Sequence, residues 1–160
     1  MDVIVDAGVP LEELPSEARM RQAAAAAAAV AGVSRRLTLC LRVASDEVVR
    51  ELNRQWRDVD AVTDVLSFPM QEGPGLDFDE TLGDVVLAWP FVKREAARLG
   101  LDARAHALHL IVHAVLHLLG HDHAEPGETA RMHGMERRAM RELGLHDPWP
   151  DDRREGGGRA

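Results

Sequence analysis

Short runs of apolar and β-branched residues, bounded by glycine, proline or polar clusters, predict four strands along the chain. They lie at residues 3–5, 37–43, 64–68 and 83–88. Pro69 is predicted to end the third strand, because proline has no backbone N–H to donate to a sheet ladder. The segment Glu72-Gly-Pro-Gly that follows is predicted to be a turn.

Apolar residues that recur every three or four positions predict helices between and after these strands. Five helices are predicted: one capped by Ser16 and stopped by Gly32, one capped by Ser45, one beginning near Pro90, and two at residues 102–119 and 127–143, ended by Gly120 and Gly144. In the second helix, Val48, Leu52 and Trp56 are four residues apart. We therefore expect them to form its packing face.

The order strand, helix, strand, helix, strand, strand and then helices predicts a mixed α/β (α+β) fold. We expect a small mixed four-stranded sheet, partly antiparallel, covered by about five helices. A chain of 160 residues is most simply one domain with a buried core. The predicted organisation is a single catalytic domain over residues 1–148 and a disordered tail, rich in glycine and charge, over residues 149–160.

Composition narrows the class and location of the protein. Hydrophobic residues make up 46% of the chain and charged residues 29%, which is typical of a globular protein. The single cysteine, Cys40, excludes an internal disulfide and a cysteine-rich zinc framework. The N-terminus lacks the pattern of a secretory signal, and the alanine run at residues 23–29 is too short to span a bilayer. We therefore expect a cytoplasmic protein with no membrane partner.

Charge is distributed unevenly, and this weakens the objection that a net charge of −8 raises against a nucleic-acid partner. Residues 58–84 carry eight acidic side chains and no basic one. Residues 34–57 carry three acids and six arginines: Arg35, Arg36, Arg42, Arg50, Arg54 and Arg57. Arginine forks suit phosphate oxygens. We therefore expect some of these arginines to contact a nucleic-acid backbone. We expect the acidic segment to face away from the bound strand or toward a basic ribosomal protein.

Histidines are concentrated in the fourth predicted helix and the turn after it. His113 and His117 are four residues apart, so they share one helix face. Gly120 allows the chain to reverse, which could bring His123 beside them. Three converging imidazoles with a fourth position for water are typical of a catalytic zinc. The pattern predicts a zincin-like site on this C-terminal helix that holds one Zn²⁺ per chain.

Other side chains near this site have competing interpretations. His121 and Asp122 are alternative third ligands. His106 and His109 are interpreted as core residues or as groups that orient a ligand. The spacing of the three histidines is shared with a zinc-protease motif in which glutamate follows the first histidine as general base. Ala114 occupies that position here, which argues against peptide hydrolysis by that mechanism.

The chain resembles the YbeY family of bacterial ribosomal-RNA maturation factors, which are single-strand-specific, metal-dependent endoribonucleases. The resemblance covers about residues 45–125. The matching segments are His113-Ala-Val-Leu-His117-Leu-Leu-Gly-His-Asp-His123, Leu52-Asn-Arg-Gln-Trp-Arg57, Asp60, Thr63-Asp-Val-Leu-Ser-Phe-Pro69 and Leu82-Gly-Asp-Val-Val-Leu87. The family often has glycine at the position of Ala114 and tyrosine at that of His121. Neither departure removes one of the three histidines.

The resemblance implies a zinc bound by His113, His117 and His123, with Arg57 as a catalytic arginine across a cleft. Phosphodiester hydrolysis passes through a more negative arrangement that an arginine and a metal can stabilise together. The alternative for Arg57 is a surface arginine that pairs with Glu51 or Asp60. Asp64 and Asp84 are possible bases or strand-end caps, and neither is predicted to be catalytic.

The implied activity is cleavage of single-stranded ribosomal RNA in maturation of the 3′ end of the small-subunit rRNA and in ribosome quality control. Small-subunit ribosomal proteins and an assembly GTPase are further candidate partners, and no DNA partner is expected. Two other functions stay open. One is a ribosome-binding assembly factor with a mainly structural zinc, and the other is a small metallopeptidase.

Overall fold

A computed structural model describes residues 1–122 and 125–151 of the protein, and its fold is mixed α+β as predicted. The four strands are β1 (Asp2–Val5), β2 (Cys40–Ala44), β3 (Val65–Pro69) and β4 (Gly83–Ala88). They form one sheet in the order β1-β2-β4-β3. The β1–β2 and β2–β4 pairs are parallel and the β3–β4 pair is antiparallel, which confirms the small mixed sheet.

Five α-helices and one short 3-10 helix accompany the sheet in the described part of the chain. The α-helices are α1 (Glu17–Val30), α2 (Asp46–Arg57), α3 (Trp89–Leu99), α4 (Ala103–Leu118) and α5 (Pro126–Glu142). Both predicted serine caps are present: the Ser16 hydroxyl accepts the Arg19 N–H at 3.2 Å, and the Ser45 hydroxyl accepts the Val48 N–H at 3.3 Å. The 3-10 helix at Leu11–Glu13 was not predicted.

Helix α4 lies at the centre of the larger core. It packs against α1, α3, α5 and strand β3, and eleven of its residues are buried. A helix that is apolar around most of its circumference has to be covered on most sides. Leu41, Val43, Val85 and Leu87 of β2 and β4 belong to the same core cluster. The polar side chains of α4 are therefore held on a rigid, enclosed support.

Helix α2 belongs to a second, smaller core with strands β3 and β4, and its predicted packing face is partly wrong. Val49 and Asn53 are the buried residues of this helix, and the Asn53 amide donates to the Ala61 carbonyl at 3.0 Å. Trp56 is 70% exposed. It lines an open cavity, together with Phe68, so the last turn of α2 borders this opening rather than a packed core.

Strand β2 begins later than the predicted residues 37–43. The register of the parallel β1–β2 pair sets the difference, because Asp2 pairs with Cys40 and β1 has only four residues. Leu37 and Leu39 are buried in the core although they lie outside the strand. Burial in the core thus accounts for their apolar pattern.

The end of the described chain is packed against α5. Trp149, which the sequence pattern assigned to the tail, stacks on His133 with the ring centroids 3.9 Å apart. The limits of the predicted domain and tail stay predictions, and residues 152–160 lie outside the described residues. Across residues 1–122 and 125–151, no helix combines the length and apolarity that crossing a membrane requires.

Gly83 should be essential for the pairing of β3 with β4. Its φ is +144°, and a Cβ added there would lie 2.2 Å from the Phe68 carbonyl oxygen. We expect Gly83→Ala to lower the free energy of unfolding by about 1–3 kcal/mol, because the backbone must shift. Chemical denaturation measures this. The control is Gly134→Ala in α5, where a Cβ meets no atom within 4 Å. It should be neutral or stabilise by up to about 1 kcal/mol, and equal effects at the two glycines would contradict the steric argument.

Candidate metal centre

His113 and His117 bring two imidazole nitrogens together on α4. Their Nε2 atoms are 3.2 Å apart, and the ring planes are inclined by 78°. Two nitrogens bound to one zinc at about 2.0–2.1 Å in tetrahedral geometry are separated by about 3.4 Å. The spacing of the two Nε2 atoms therefore fits a shared metal ion, and imidazole nitrogen suits zinc.

These two histidines line a cavity of about 630 Å³, and Arg57 lines the same cavity. Arg57 is at the end of α2, and its guanidinium donates to the carbonyl of Ser67 on β3. The guanidinium carbon lies 5.5 Å from the centre of the Phe68 ring. Strand β3 thus holds the arginine at this cavity. The fold brings the predicted arginine and the predicted histidine pair to one opening.

The acids proposed as surface partners of Arg57 pair with other arginines. Glu51 forms an ion pair with Arg54, and Asp60 accepts the Arg50 Nε–H at 2.8 Å. Hydrogen bonds from these arginines lower the pKa of both carboxyl groups. The described contacts of Arg57 are thus with β3, and they favour the cavity-facing interpretation over the surface ion pair.

Two of the three candidates for a third ligand line the same cavity. His121 and Asp122 follow Gly120, whose φ of +96° ends α4 in the predicted chain reversal. Burial lowers the pKa of His121, and the nearby charge of Arg131 acts in the same direction. His121 is therefore a neutral imidazole at physiological pH. His123 lies outside the described residues, so its role stays a prediction.

Glu136 of α5 contacts His113, one member of the histidine pair, and this contact was not predicted. Its Oε1 atom lies 2.7 Å from His109 Nε2 and 3.1 Å from His113 Nδ1. Burial alone would raise the pKa of Glu136, but the hydrogen bonds from these histidines lower it to about 2. The carboxylate is therefore ionised.

A signal for Glu136 was present in the sequence. It interrupts a stripe at helical spacing whose other members are buried: Met132, Met135, Ala139 and Met140. A charged residue on such a stripe requires a buried partner. The identity of that partner could not be predicted from α5 alone.

A second group of potential metal ligands, which was not predicted, lies near the other end of α4. Asp64, Glu95 and His106 each offer a ligand atom, and all three atoms lie within 4.8 Å of one another. This cluster could hold a metal ion. Burial lowers the pKa of His106, as does the neighbouring His109, so its imidazole is neutral. His106 Nε2 lies 3.4 Å from Glu95 Oε1, which also suits a buried histidine–carboxylate pair.

The two aspartates considered as bases have other partners in the structure, although Asp64 lines a second cavity together with His113. The Asp64 carboxylate accepts the Val65 N–H at 2.7 Å, which is the strand-end cap considered from the sequence. Asp84 is in register with Phe68 on the sheet and lines the cavity that contains Trp56. Neither aspartate lines the cavity of His113 and His117.

The arginines of residues 34–57 do not form one basic surface. Four of them are in ion pairs: Arg35 with Asp79, Arg42 with Asp6, Arg50 with Asp60, and Arg54 with Glu51. The local excess of positive charge is therefore largely neutralised in the folded chain. Glu72, from the acidic segment, also lines the cavity, so that segment does not face wholly away from it.

The fold and the site together define an α+β protein with imidazoles converging beside an arginine-lined cavity. The model of the family described as endoribonuclease YbeY matches residues 7–144. The chain belongs to the YbeY endoribonuclease family.

Similar proteins support this assignment across most of the chain. A protein named endoribonuclease YbeY from Alkalilimnicola ehrlichii is 44% identical over 137 residues, which cover 85% of this chain and 82% of that protein. Another of the same name from Stenotrophomonas maltophilia is 39% identical over 96% of both chains. The solution structure of TM1509 from Thermotoga maritima matches with a TM-score of 0.56 and 22% identity, covering 92% of this chain and 98% of that chain. This last likeness supports the fold alone.

Proposed function

We propose that this protein is a zinc-dependent, single-strand-specific endoribonuclease. It acts in maturation of the 3′ end of the small-subunit ribosomal RNA and in ribosome quality control. His113, His117 and His123 bind one zinc per chain, and Arg57 is the catalytic arginine. Membership of the endoribonuclease YbeY family supports the reaction class. The resemblance identified from the sequence supports the ribosomal substrate, and a ribosomal substrate implies a cytoplasmic location.

The observation that carries the proposal is the shared cavity of Arg57 and the histidine pair. A phosphodiester that enters this cavity can meet both the histidine nitrogens and the guanidinium of Arg57. The guanidinium has five N–H donors, and its bond to Ser67 fixes its position while other donors can bind phosphate oxygens.

The metal ion and Arg57 contribute to the proposed reaction in different ways. Zinc, when bound, supplies a Lewis acid and lowers the pKa of a water ligand to about 7. Arg57 stabilises the negative charge that increases on the phosphate oxygens as the reaction proceeds. Because Arg57 is anchored to β3 beforehand, this stabilisation requires little reorganisation. Ala114 leaves the position of the protease glutamate apolar, so the metallopeptidase alternative has the weaker support.

A second candidate function is that of an assembly factor that binds a small-subunit ribosomal protein. Large exposed apolar side chains favour it: Ile4, Trp56 and Met70 are each more than half exposed and line one cavity of about 680 Å³. Exposed apolar surface of this kind is typical of interaction sites. An assembly GTPase is a further candidate partner, but none of the described contacts singles one out.

Metal analysis tests the ligand assignment. We expect the purified protein to carry about one tightly bound zinc per chain and His117→Ala to lose most of it, because one of two converging nitrogens is removed. His106→Gln should retain it, since His106 belongs to the other ligand cluster. Elemental analysis after dialysis measures the content. Full occupancy in His117→Ala and in the corresponding His123 variant would make the assignment wrong.

Cleavage of single-stranded RNA tests the role of Arg57. We expect Arg57→Ala to reduce the rate by about a hundredfold to a thousandfold, the usual effect of removing one electrostatic contact to a transition state. Zinc content and melting temperature should stay near those of the wild type, because no ligand is lost and alanine is a strong helix former.

Arg54→Ala is the matched control for this experiment. Arg54 is an exposed arginine of the same helix, and it pairs with Glu51 rather than lining the metal cavity. Its rate should stay close to that of the wild type. Equal cleavage by wild type and zinc-loaded Arg57→Ala, prepared in parallel, would instead favour the assembly-factor function.

RNA affinity should fall as salt rises if arginine contacts the RNA backbone, because each neutralised phosphate releases a counterion. We expect the slope of log K against log salt to become shallower by about 0.7 in Arg57→Ala, the value for one contact to a single strand. Arg35→Ala should leave the slope unchanged, since Arg35 pairs with Asp79 and lines a different cavity. Fluorescence anisotropy over a salt series measures both. A wild-type RNA affinity that does not change with salt would contradict a contact between arginine and the RNA backbone.

A further inference from the structure

Glu136 makes hydrogen bonds through both of its carboxylate oxygens. Oε1 is shared by His109 and His113 of α4, and Oε2 lies 3.2 Å from Trp149 Nε1. The side chain is fully buried. The Trp149 indole N–H can only donate, and the two carboxylate oxygens together meet three ring nitrogens, so the geometry makes the carboxylate the common acceptor of three N–H groups. Glu136 thus links α4 and α5 to the end of the described chain.

This contact determines which nitrogen of His113 can bind a metal. In a neutral imidazole one ring nitrogen carries the proton and the other has the lone pair. The bond to Glu136 fixes the proton on Nδ1 of His113. The lone pair is then on Nε2, the atom that lies 3.2 Å from His117 Nε2. The buried carboxylate therefore both orients the ring and selects its tautomer.

Trp149 holds the other oxygen of Glu136 and is itself fixed on several sides. Its ring stacks on His133 at an interplanar angle of 12° and meets the His109 ring edge-on. The Trp149 backbone N–H donates to the Asp147 carboxylate at 2.9 Å. Arg137 of α5 pairs with that same carboxylate and also donates to the Trp149 carbonyl. These contacts restrict the rotation of the Glu136 side chain.

We propose that Glu136 is a positioning residue for the metal site, and that Trp149 positions Glu136 in turn, so that the segment 147–149 is part of the metal centre. The inference rests on the proposed function in one respect: it takes His113 as a ligand. A carboxylate that bonds the far nitrogen of a metal-binding histidine typically increases metal affinity by about 10–100-fold. A residue that only stabilised the core would leave the tautomer of His113 and the metal affinity unchanged.

The test uses the full chain and two readouts. Zinc affinity is measured by competition with a chromophoric chelator. The tautomer of His113 is measured by ¹⁵N NMR of the imidazole nitrogens after zinc is removed. We expect Glu136→Gln to weaken zinc binding by about 10–100-fold and to give His113 a mixture of tautomers. Trp149→Phe keeps a ring but loses the N–H donor, and we expect a smaller loss in the same direction.

Glu142→Gln is the matched control, because it removes an exposed carboxylate at the end of the same helix. Its zinc affinity should equal that of the wild type. If Glu136→Gln does not fold, the zinc affinity of Trp149→Phe and the tautomer of His113 in the wild type still test the positioning role. Protonation of wild-type His113 on Nε2, or unchanged zinc affinity in both folded variants, would overturn the positioning role and leave the proposed function intact. If His117→Ala binds zinc as tightly as the wild type, the proposed metal site itself is wrong.

Discussion

The buried charge of Glu136 is the constraint on which the arrangement of the site depends. An unpaired carboxylate in a protein interior costs several kcal/mol, so Glu136 has to keep its three N–H donors. Two of them come from α4 and the third from Trp149. The packing of α4 against α5 and the position of the chain end are therefore coupled to the orientation of His113. Stability of the fold and geometry of the candidate metal centre share the same hydrogen bonds.

The histidines of helix α4 have different surroundings along the length of the helix. Near its beginning, His106 and His109 are buried and lie against the carboxylates of Glu95 and Glu136. One and two turns further on, His113 and His117 reach the cavity that Arg57 lines. The apolar residues between them fix the helix against the sheet. A rigid support of this kind suits a ligand pair that must converge on one ion.

Much of the local structure could be predicted from the sequence, because strand patterns, serine caps and helix-ending glycines act over a few residues. The same is true of the pair His113 and His117, whose alignment follows from helix periodicity. Contacts between distant segments could not be predicted. Glu136 and Trp149 come into contact with the histidines only when α5 packs against α4. The exposure of Trp56 depends on which part of the sheet the helices cover. Similarly, the ion pairs that neutralise the arginines join residues up to 44 positions apart.

X-ray absorption spectroscopy at the zinc edge tests most directly whether the metal is bound by the histidine pair of α4. We expect scattering from three imidazole nitrogens at about 2.0–2.1 Å in the wild type, and one imidazole fewer around any zinc that His117→Ala retains. The other ligand cluster, Asp64, Glu95 and His106, would give a different spectrum, with one imidazole and mainly oxygen neighbours. A spectrum of that second kind in the wild-type protein would contradict the assignment of His113 and His117 as the metal centre.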